Sequence, residues 1–277
     1  MIRCASILNK GLSMFTAKDR EKCEQIYDRY YRGRKFHDSL YRDMIRKYLL
    51  PGQRVLDAGC GRYLRFCKEL SDTASVVGID LDSVLETDNQ AAPFAIRGDV
   101  SRLPFPSGHF DMVISRSVVE HLEEPAKVFQ EFARVLKPGG RAIIITPNKY
   151  DYVSVIAALT PYKVHRSLVS KIFQVSEDDV FPTLYRANTL SAIRRILTAA
   201  GLVQKELDTI NHYPAYLMFS PMLFRIGILY ERITSLAPFR SLRGSILCVF
   251  QKPTGSGGLV EGNAQNGGLR GQRVGVS

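Results

Sequence analysis

Five short apolar runs constrain what this chain can fold into. They read RVLD (54–57), SVVGID (75–80), PFAIRGD (93–99), FDMVIS (110–115) and RAIIITP (141–147). Several are nearly continuous rather than alternating in character, which is the pattern of a strand covered on both faces. Amphipathic or turn-rich stretches separate them. Strands and helices in alternation predict a parallel sheet with helices on both of its faces.

The helical stretches carry their own signals. Residues 19–49 read as helical, with Leu40, Tyr41, Met44, Ile45, Tyr48 and Leu49 on one stripe, and Pro51-Gly52 stops the pattern. Residues 62–70 read as the helix after the first strand. In 125–137, Pro125 suits a first helical turn, and Val128, Phe129, Phe132, Ala133 and Leu136 share a face. Pro138-Gly139-Gly140 ends that helix. A further helix spans 188–200, with Asn188 as its cap and Gly201 at its end. LVQKELDTI (202–210) and SILCVFQK (245–252) are the final strands. Between them, 215–233 is apolar and helical, with Pro221 near its middle.

These elements divide the chain into an N-terminal helical cap (1–50), a central α/β domain (51–252) and a tail (253–277). Insertions at about 149–187 and 212–240 lie over the strand ends as a helical lid; the first holds the acidic cluster Glu177-Asp178-Asp179. The tail has eight glycines in 25 residues and no aromatic, so it is expected to be disordered.

Composition narrows the function classes. Cys4, Cys23, Cys60, Cys67 and Cys248 form no CxxC pair and no metal-ligand spacing, so reduced thiols and a cytoplasmic location are expected, with no metal. No run of 18 apolar residues reads as a membrane span, and MIRCASILNKGLSMF lacks the cleavage site of a secretory signal. The net charge is +11, and residues 1–50 supply +6 of it from twelve Lys/Arg against six Asp/Glu. Such a region favours anionic partners or is simply a solvated basic face. No aromatic-basic module of a nucleic-acid binder is present, which argues against that partner.

The turn Ala58-Gly59-Cys60-Gly61 lets backbone approach a ligand closely where a helix begins. Asp80 lies 21 residues beyond Gly59, at the end of the second strand, where a carboxylate can accept from both hydroxyls of a ribose. A nicotinamide enzyme would want G-x-G-x-x-G, and Leu64 stands where the third glycine belongs.

The run GDVSRLPFPSGHFDMVISRSVVEHLEEPAKVFQEFARVLKPGGRAIIITPN (98–148), with VLDAGCG before it, resembles the class I methyltransferases of the type 11 group, which include quinone-ring and small-molecule methyltransferases. The resemblance is close over about 53–148 and looser beyond. It implies a Rossmann-like, doubly wound, seven-stranded sheet with an antiparallel last strand, and S-adenosylmethionine as cofactor. It also implies roles: Asp57, Gly59, Cys60 and Gly61 around the methionine end, Asp80 on the ribose, Leu81 against the adenine, Asp99 and Val100 at the adenine edge, and Ser115 beside the sulfonium. Taken singly, Asp57 and Asp99 could as well stabilise turns. Arg62-Tyr63 follows the glycine turn where the group has small residues; Tyr63 could crowd the methionine carboxylate, or Arg62 could pair with it.

A sulfonium methyl is already activated, so the protein's task is orientation, with a base only where the acceptor must lose a proton. His121 is a candidate base, but EHL is common to the group whatever the acceptor, which favours a structural role. His109 sits in a turn; His165 and His212 lie in or near the insertions. Glu131 and Arg134 read as an exposed ion pair. Tyr150, Tyr152, Tyr162, Phe181, Tyr185, Tyr213 and Tyr216 make the insertions aromatic, as an acceptor pocket or as a small core under a lid. The segment 215–233, flanked by Arg225 and Arg232, suits either core packing or an interfacial helix, and the latter would make a lipid-linked acceptor plausible. The expected activity is methyl transfer to a small-molecule or lipid-linked acceptor, with oxygen as first choice from the group's habits. The alternatives are a catalytically silent binding subunit and a nicotinamide-dependent oxidoreductase. The acceptor and the oligomeric state are not written in the sequence.

Overall fold

The computed structural model describes residues 16–61, 64–81, 95–160 and 181–254. Its elements in chain order are α1 (Ala17–Tyr31), α2 (His37–Tyr48), β1 (Arg54–Ala58), α3 (Arg65–Leu70), β2 (Ser75–Asp80), β3 (Ala95–Arg97) and β4 (Phe110–Arg116). Then come α4 (Pro125–Val135), β5 (Leu136–Pro147), α5 (Tyr152–Leu159), α6 (Leu190–Ala199), β6 (Val203–Ile210), α7 (Pro221–Thr234) and β7 (Ser245–Gln251). The seven strands form one sheet in the order β3-β2-β1-β4-β5-β7-β6. β1 pairs parallel with β2 and β4, β2 with β3, and β4 with β5, whereas β7 runs antiparallel to both β5 and β6. The expected seven strands and antiparallel last strand are both present. The order reverses between β1 and β4, so the strand ends there diverge and leave a crevice.

The apolar runs work as double-faced strands. In β5, Ala142 and Ile144 pack into the core on one face with Phe129 and Phe132 of α4 and Ile193 and Leu197 of α6. Ile143 and Ile145 pack on the other with Tyr41 and Ile45 of α2 and Phe66 and Leu70 of α3. Alternate residues of one strand thus serve two layers, because successive side chains leave a strand on opposite sides. A third cluster joins Cys23, Ile26 and Tyr31 of α1 to Phe224 and Ile228 of α7 and to Met218, so the cap and the second insertion share a core. Tyr31 Oη and Arg34 donate to the buried Glu231 carboxylate at 3.0 and 2.8 Å, fastening the two further.

Several local expectations need correction. The stretch 19–49 is two helices, because Gly33 adopts φ +79° and the chain turns before α2. Ser39 Oγ accepts from Phe36 N at 2.8 Å and fixes the new helix start. Asn188 does not cap α6; Thr189 does, accepting from Ala192 N, while Asn188 is buried and donates to Thr146 Oγ1 and Pro147 O. The segment 215–233 is not continuous: Pro221 opens α7, where its missing N–H costs nothing. Helix α4 stops at Val135, because Lys137 precedes Pro138 and that position disfavours helical backbone. Glu131 and Arg134 are more than an exposed pair. Glu131 accepts from Leu103 N, and Arg134 donates to the Leu103 and Phe105 carbonyls, which pins the loop before β4. The expectations for the disordered tail beyond Thr254, the cluster at 177–179, and Tyr162, His165 and Arg62-Tyr63 lie outside the described residues.

Phe129 is fully buried at the centre of the larger core. Phe129→Ala should lower unfolding free energy by about 3–5 kcal/mol in urea titration. A loss below about 1 kcal/mol would show that α4 contributes little to the fold.

Candidate functional site

The crevice is floored by the turn after β1. Gly59 and Gly61 both hold positive φ, at +80° and +63°. A Cβ on Gly59 would lie 2.1 Å from Val118 Cγ2, so glycine is required for both conformation and space. Gly59 N and Cys60 N donate to Ile79 O, and Gly61 N donates to Asp80 Oδ2 at 2.8 Å. Asp80 therefore stands at the end of β2 with its carboxylate turned to the glycine turn. Leu81 beside it is 65% exposed, a large apolar side chain left uncovered. Asp99 is exposed and accepts from Ser101 N at 2.7 Å, while Val100 is buried in the main core. Ser115 is buried and donates to Ala58 O at 3.0 Å, tying the ends of β1 and β4.

Asp57 is buried at the end of β1, and Cys67 Sγ donates to it at 3.6 Å. Burial pushes its carboxyl up from 3.8 to about 7; the thiol contact and Arg116 oppose this, and Asp80 adds to it.

Residues that sequence reasoning passed over form the wall opposite. Asp38, in the first turn of α2, accepts from His37 Nδ1 at 2.9 Å, Arg65 Nη1 at 2.7 Å and Arg116 Nε at 2.9 Å. Burial raises this carboxyl, but the hydrogen bond from His37 and the charges of Arg116 and Arg65 outweigh it and hold it well below the usual carboxylate range. A carboxylate can only accept, so Nδ1 of His37 is the donor in this contact. His212 stacks on His37 with ring centroids 5.2 Å apart and shares a hydrogen bond with Ser245 Oγ. Burial lowers His212 to about 3, so it is a neutral ring at ordinary pH. Gly244 makes room for it, since a Cβ there would fall 1.6 Å from His212 Cδ2.

His37, Arg116, His212 and Ser245 line a cavity of about 570 Å³ beside the ends of β4, β5 and β7. Its aromatic wall includes Phe36, Tyr152, Phe181, Tyr185, Tyr213 and Tyr216. Five of these come from the aromatic insertion residues singled out above; Tyr150 faces away and is exposed. His37, Arg116, Glu120, His121 and Asp151 are among its polar groups. Glu120 is buried and accepts from Thr146 Oγ1 at 2.8 Å, and burial raises its carboxyl. Asp151 caps α5, accepting from Val153 N, and burial lifts it to about 6. His121 Nδ1 donates to Pro182 O at 2.8 Å, which ties it to the 181–185 segment. His109 lies outside, stacked on Phe105. Among the described residues, no cluster of His, Cys, Asp or Glu could hold a metal ion.

Residues 56–144 match the Methyltransf_11 family, a methyltransferase domain. The chain carries a class I methyltransferase domain of the type 11 group. The cofactor of this group is S-adenosylmethionine. A protein of Mycolicibacterium smegmatis named as a probable S-adenosylmethionine-dependent methyltransferase is 31% identical over 120 residues, 42% of this chain and 46% of its own. The ubiquinone/menaquinone biosynthesis C-methyltransferase UbiE of Vibrio vulnificus is 25% identical over 167 residues, 56% of this chain and 64% of its own. The chain thus spans about half the length of the curated relatives it matches. A solved S-adenosylmethionine-dependent methyltransferase from Mesorhizobium loti shares the fold, with a TM-score of 0.51 at 19% identity over 76% of this chain and 96% of that one.

Asp57 supplies a pH test. Between about pH 4 and pH 7 the folded protein holds a proton that the unfolded chain has lost, so this group's contribution to stability falls as pH rises through that window. The slope approaches about 1.4 kcal/mol per pH unit. Asp57→Asn should remove that fall, and denaturation midpoints of both proteins across the window read it directly. Parallel curves would show that Asp57 titrates normally.

Proposed function

We propose that this chain transfers the methyl group of S-adenosylmethionine to a hydroxyl oxygen of an apolar, ring-bearing acceptor, small or lipid-linked, held in the aromatic cavity. The observation that carries the reading is the His37–Asp38 pair: His37 lines the cavity, and Asp38 also accepts from Arg116 at the end of β4.

The chain's residues fit the cofactor. The positive-φ glycine turn gives close backbone approach, Asp80 offers carboxylate oxygens at the ribose position, and Leu81 presents uncovered apolar surface for the adenine. In this reading Asp57, Cys60, Asp99, Val100 and Ser115 complete the cofactor site as the group's pattern implies. When bound, the cofactor supplies an electrophilic methyl on a sulfonium, and the protein need only orient and deprotonate. A hydroxyl is a poor nucleophile, so its proton must leave as the new bond forms. His37 Nε2 receives that proton. Asp38 keeps the ring in the right tautomer and stabilises the imidazolium. Tyrosine and phenylalanine side chains exclude water and hold the acceptor ring by edge and face contacts. His121, tied to Pro182, orders the lid rather than acting as base. The name of the Vibrio relative favours one second reading, methylation of a ring carbon. Proton NMR of the labelled product separates an O-methyl from a C-methyl.

Calorimetric titration with S-adenosylhomocysteine tests the first half of the proposal, and saturable micromolar binding is expected. A folded sample that binds none would favour the silent-subunit alternative. Asp80→Ala should weaken that binding by roughly 1.5–3 kcal/mol, and unchanged affinity would sink the ribose assignment. His37→Gln should leave this affinity intact while kcat falls by about 10²–10⁴. A variant that turns over as fast as the parent would place the base elsewhere.

A further inference from the structure

Among the described residues, one surface is explained by neither the fold nor the cavity. Helix α7 buries Phe224, Gly227, Ile228 and Glu231 against α1 and its surroundings, as a packed helix should. Its opposite face is apolar too. Met222, Ile226, Leu229 and Ile233 recur at helical spacing, and on neighbouring α5 Ile156 and Leu159 do likewise. These six side chains are between 43% and 81% exposed. The two helices touch through Tyr152 and Tyr230, whose rings meet edge to face at 5.1 Å. A contiguous apolar stripe on the outer face of a helix whose inner face is already packed marks an interaction surface.

Charge identifies what meets this face. From Asn211 to Gln251 the chain carries four arginines and a single carboxylate, Glu231. That carboxylate is buried and bonded to Arg34 and Tyr31, so it offers no negative charge to solvent. Arg225, Arg232 and Arg240 are exposed, and Arg225 and Arg232 flank the apolar stripe along one side of α7. Helix α1 alongside is balanced, with four basic and four acidic residues. Among the described residues no helix is long and apolar enough to cross a membrane. An apolar stripe edged by arginines, on a helix of 14 residues, is the pattern of a segment lying in the plane of a lipid headgroup layer.

We propose that the outer face of α7, with α5 beside it, docks on an anionic lipid bilayer. The stripe enters the boundary between headgroups and acyl chains, and Arg225, Arg232 and Arg240 pair with lipid phosphates. The inner faces of the same helices line the acceptor cavity through Tyr152, Ala157, Gly227 and Tyr230. Docking therefore sets the cavity wall against the bilayer. If the proposed function is right, this favours a lipid-linked acceptor, but docking itself does not rest on that reading.

Vesicle flotation without cofactor or acceptor tests it. The full chain should float with vesicles of phosphatidylcholine and phosphatidylglycerol at 3:1, and at least about tenfold less with phosphatidylcholine alone. Ile226→Glu with Leu229→Glu should reduce anionic-vesicle binding about tenfold or more at unchanged far-UV circular dichroism. Arg225→Gln with Arg232→Gln, which leaves the apolar stripe whole, should weaken binding and flatten its salt dependence. Failure of the parent protein to float with anionic vesicles overturns the proposal. So does a dimer in sedimentation that the glutamate pair dissolves while vesicle binding is absent, since the face would then belong to a second copy of this chain. Because S-adenosylhomocysteine titration is read separately, a failed flotation leaves the cofactor assignment standing.

Discussion

The Asp38 carboxylate is the joint on which the site depends. It belongs to a cap helix, yet its three partners come from that helix, from α3 after the glycine turn and from the end of β4. Two arginines and an imidazole around one partly buried carboxylate make the ionised form much the more stable. This fixes where the cap sits over the crevice, and it holds the ring of His37. Without the carboxylate, Arg65 and Arg116 would face each other's charge across the crevice, and the cap would be held there chiefly by the apolar packing of Tyr41 and Ile45.

Much of the scaffold was legible in the sequence, for a physical reason. A strand buried on both faces must be apolar at nearly every position, so RAIIITP and SVVGID announce themselves without reference to anything distant. The glycine turn is equally local: Gly59 cannot be replaced without a collision at Val118. Helix ends were harder. Asn188 and Thr189 are both competent caps, and what separates them is a tertiary demand. Thr146 and the Pro147 carbonyl claim the Asn188 amide, which leaves Thr189 to cap α6. The break between α1 and α2 turned on one glycine, Gly33, which lies ahead of the apolar stripe from Leu40 to Leu49.

The aromatic cavity was legible only as composition. Aromatic residues in the insertions pointed to a pocket or a satellite core, and Tyr152, Phe181, Tyr185, Tyr213 and Tyr216 do meet around one cavity. His37 and Asp38 carried no comparable signal. Adjacent polar residues at a helix start are ordinary, and only contacts with Arg65 and Arg116, 27 and 78 residues away, give them a role. His121 drew attention because its motif is familiar, whereas its hydrogen bond to the Pro182 carbonyl gives it a structural purpose.

Strain and unfavourable burial concentrate along one edge of the sheet. Asp57, Glu120 and Asp151 are carboxyls raised by burial; Asp57 is the penultimate residue of β1, and Glu120 and Asp151 follow β4 and β5. Leu64, Ser117 and Tyr185 hold positive φ without being glycine, and each lies in a loop at the crevice or the cavity. Such features cost stability and persist only where surrounding packing overdetermines them. The two cores on either side of the sheet supply that packing, with Phe129, Phe132, Tyr41 and Phe66 fully or nearly buried. The opposite edge shows a different economy: Arg134, Lys137 and Lys252 meet backbone carbonyls and Asp111 in ordinary paired contacts. A fold under no demand but stability would not gather its buried carboxyls and strained residues on one side. Their gathering at the divergent strand ends is itself a physical argument that this edge, and not the other, is where the molecule works.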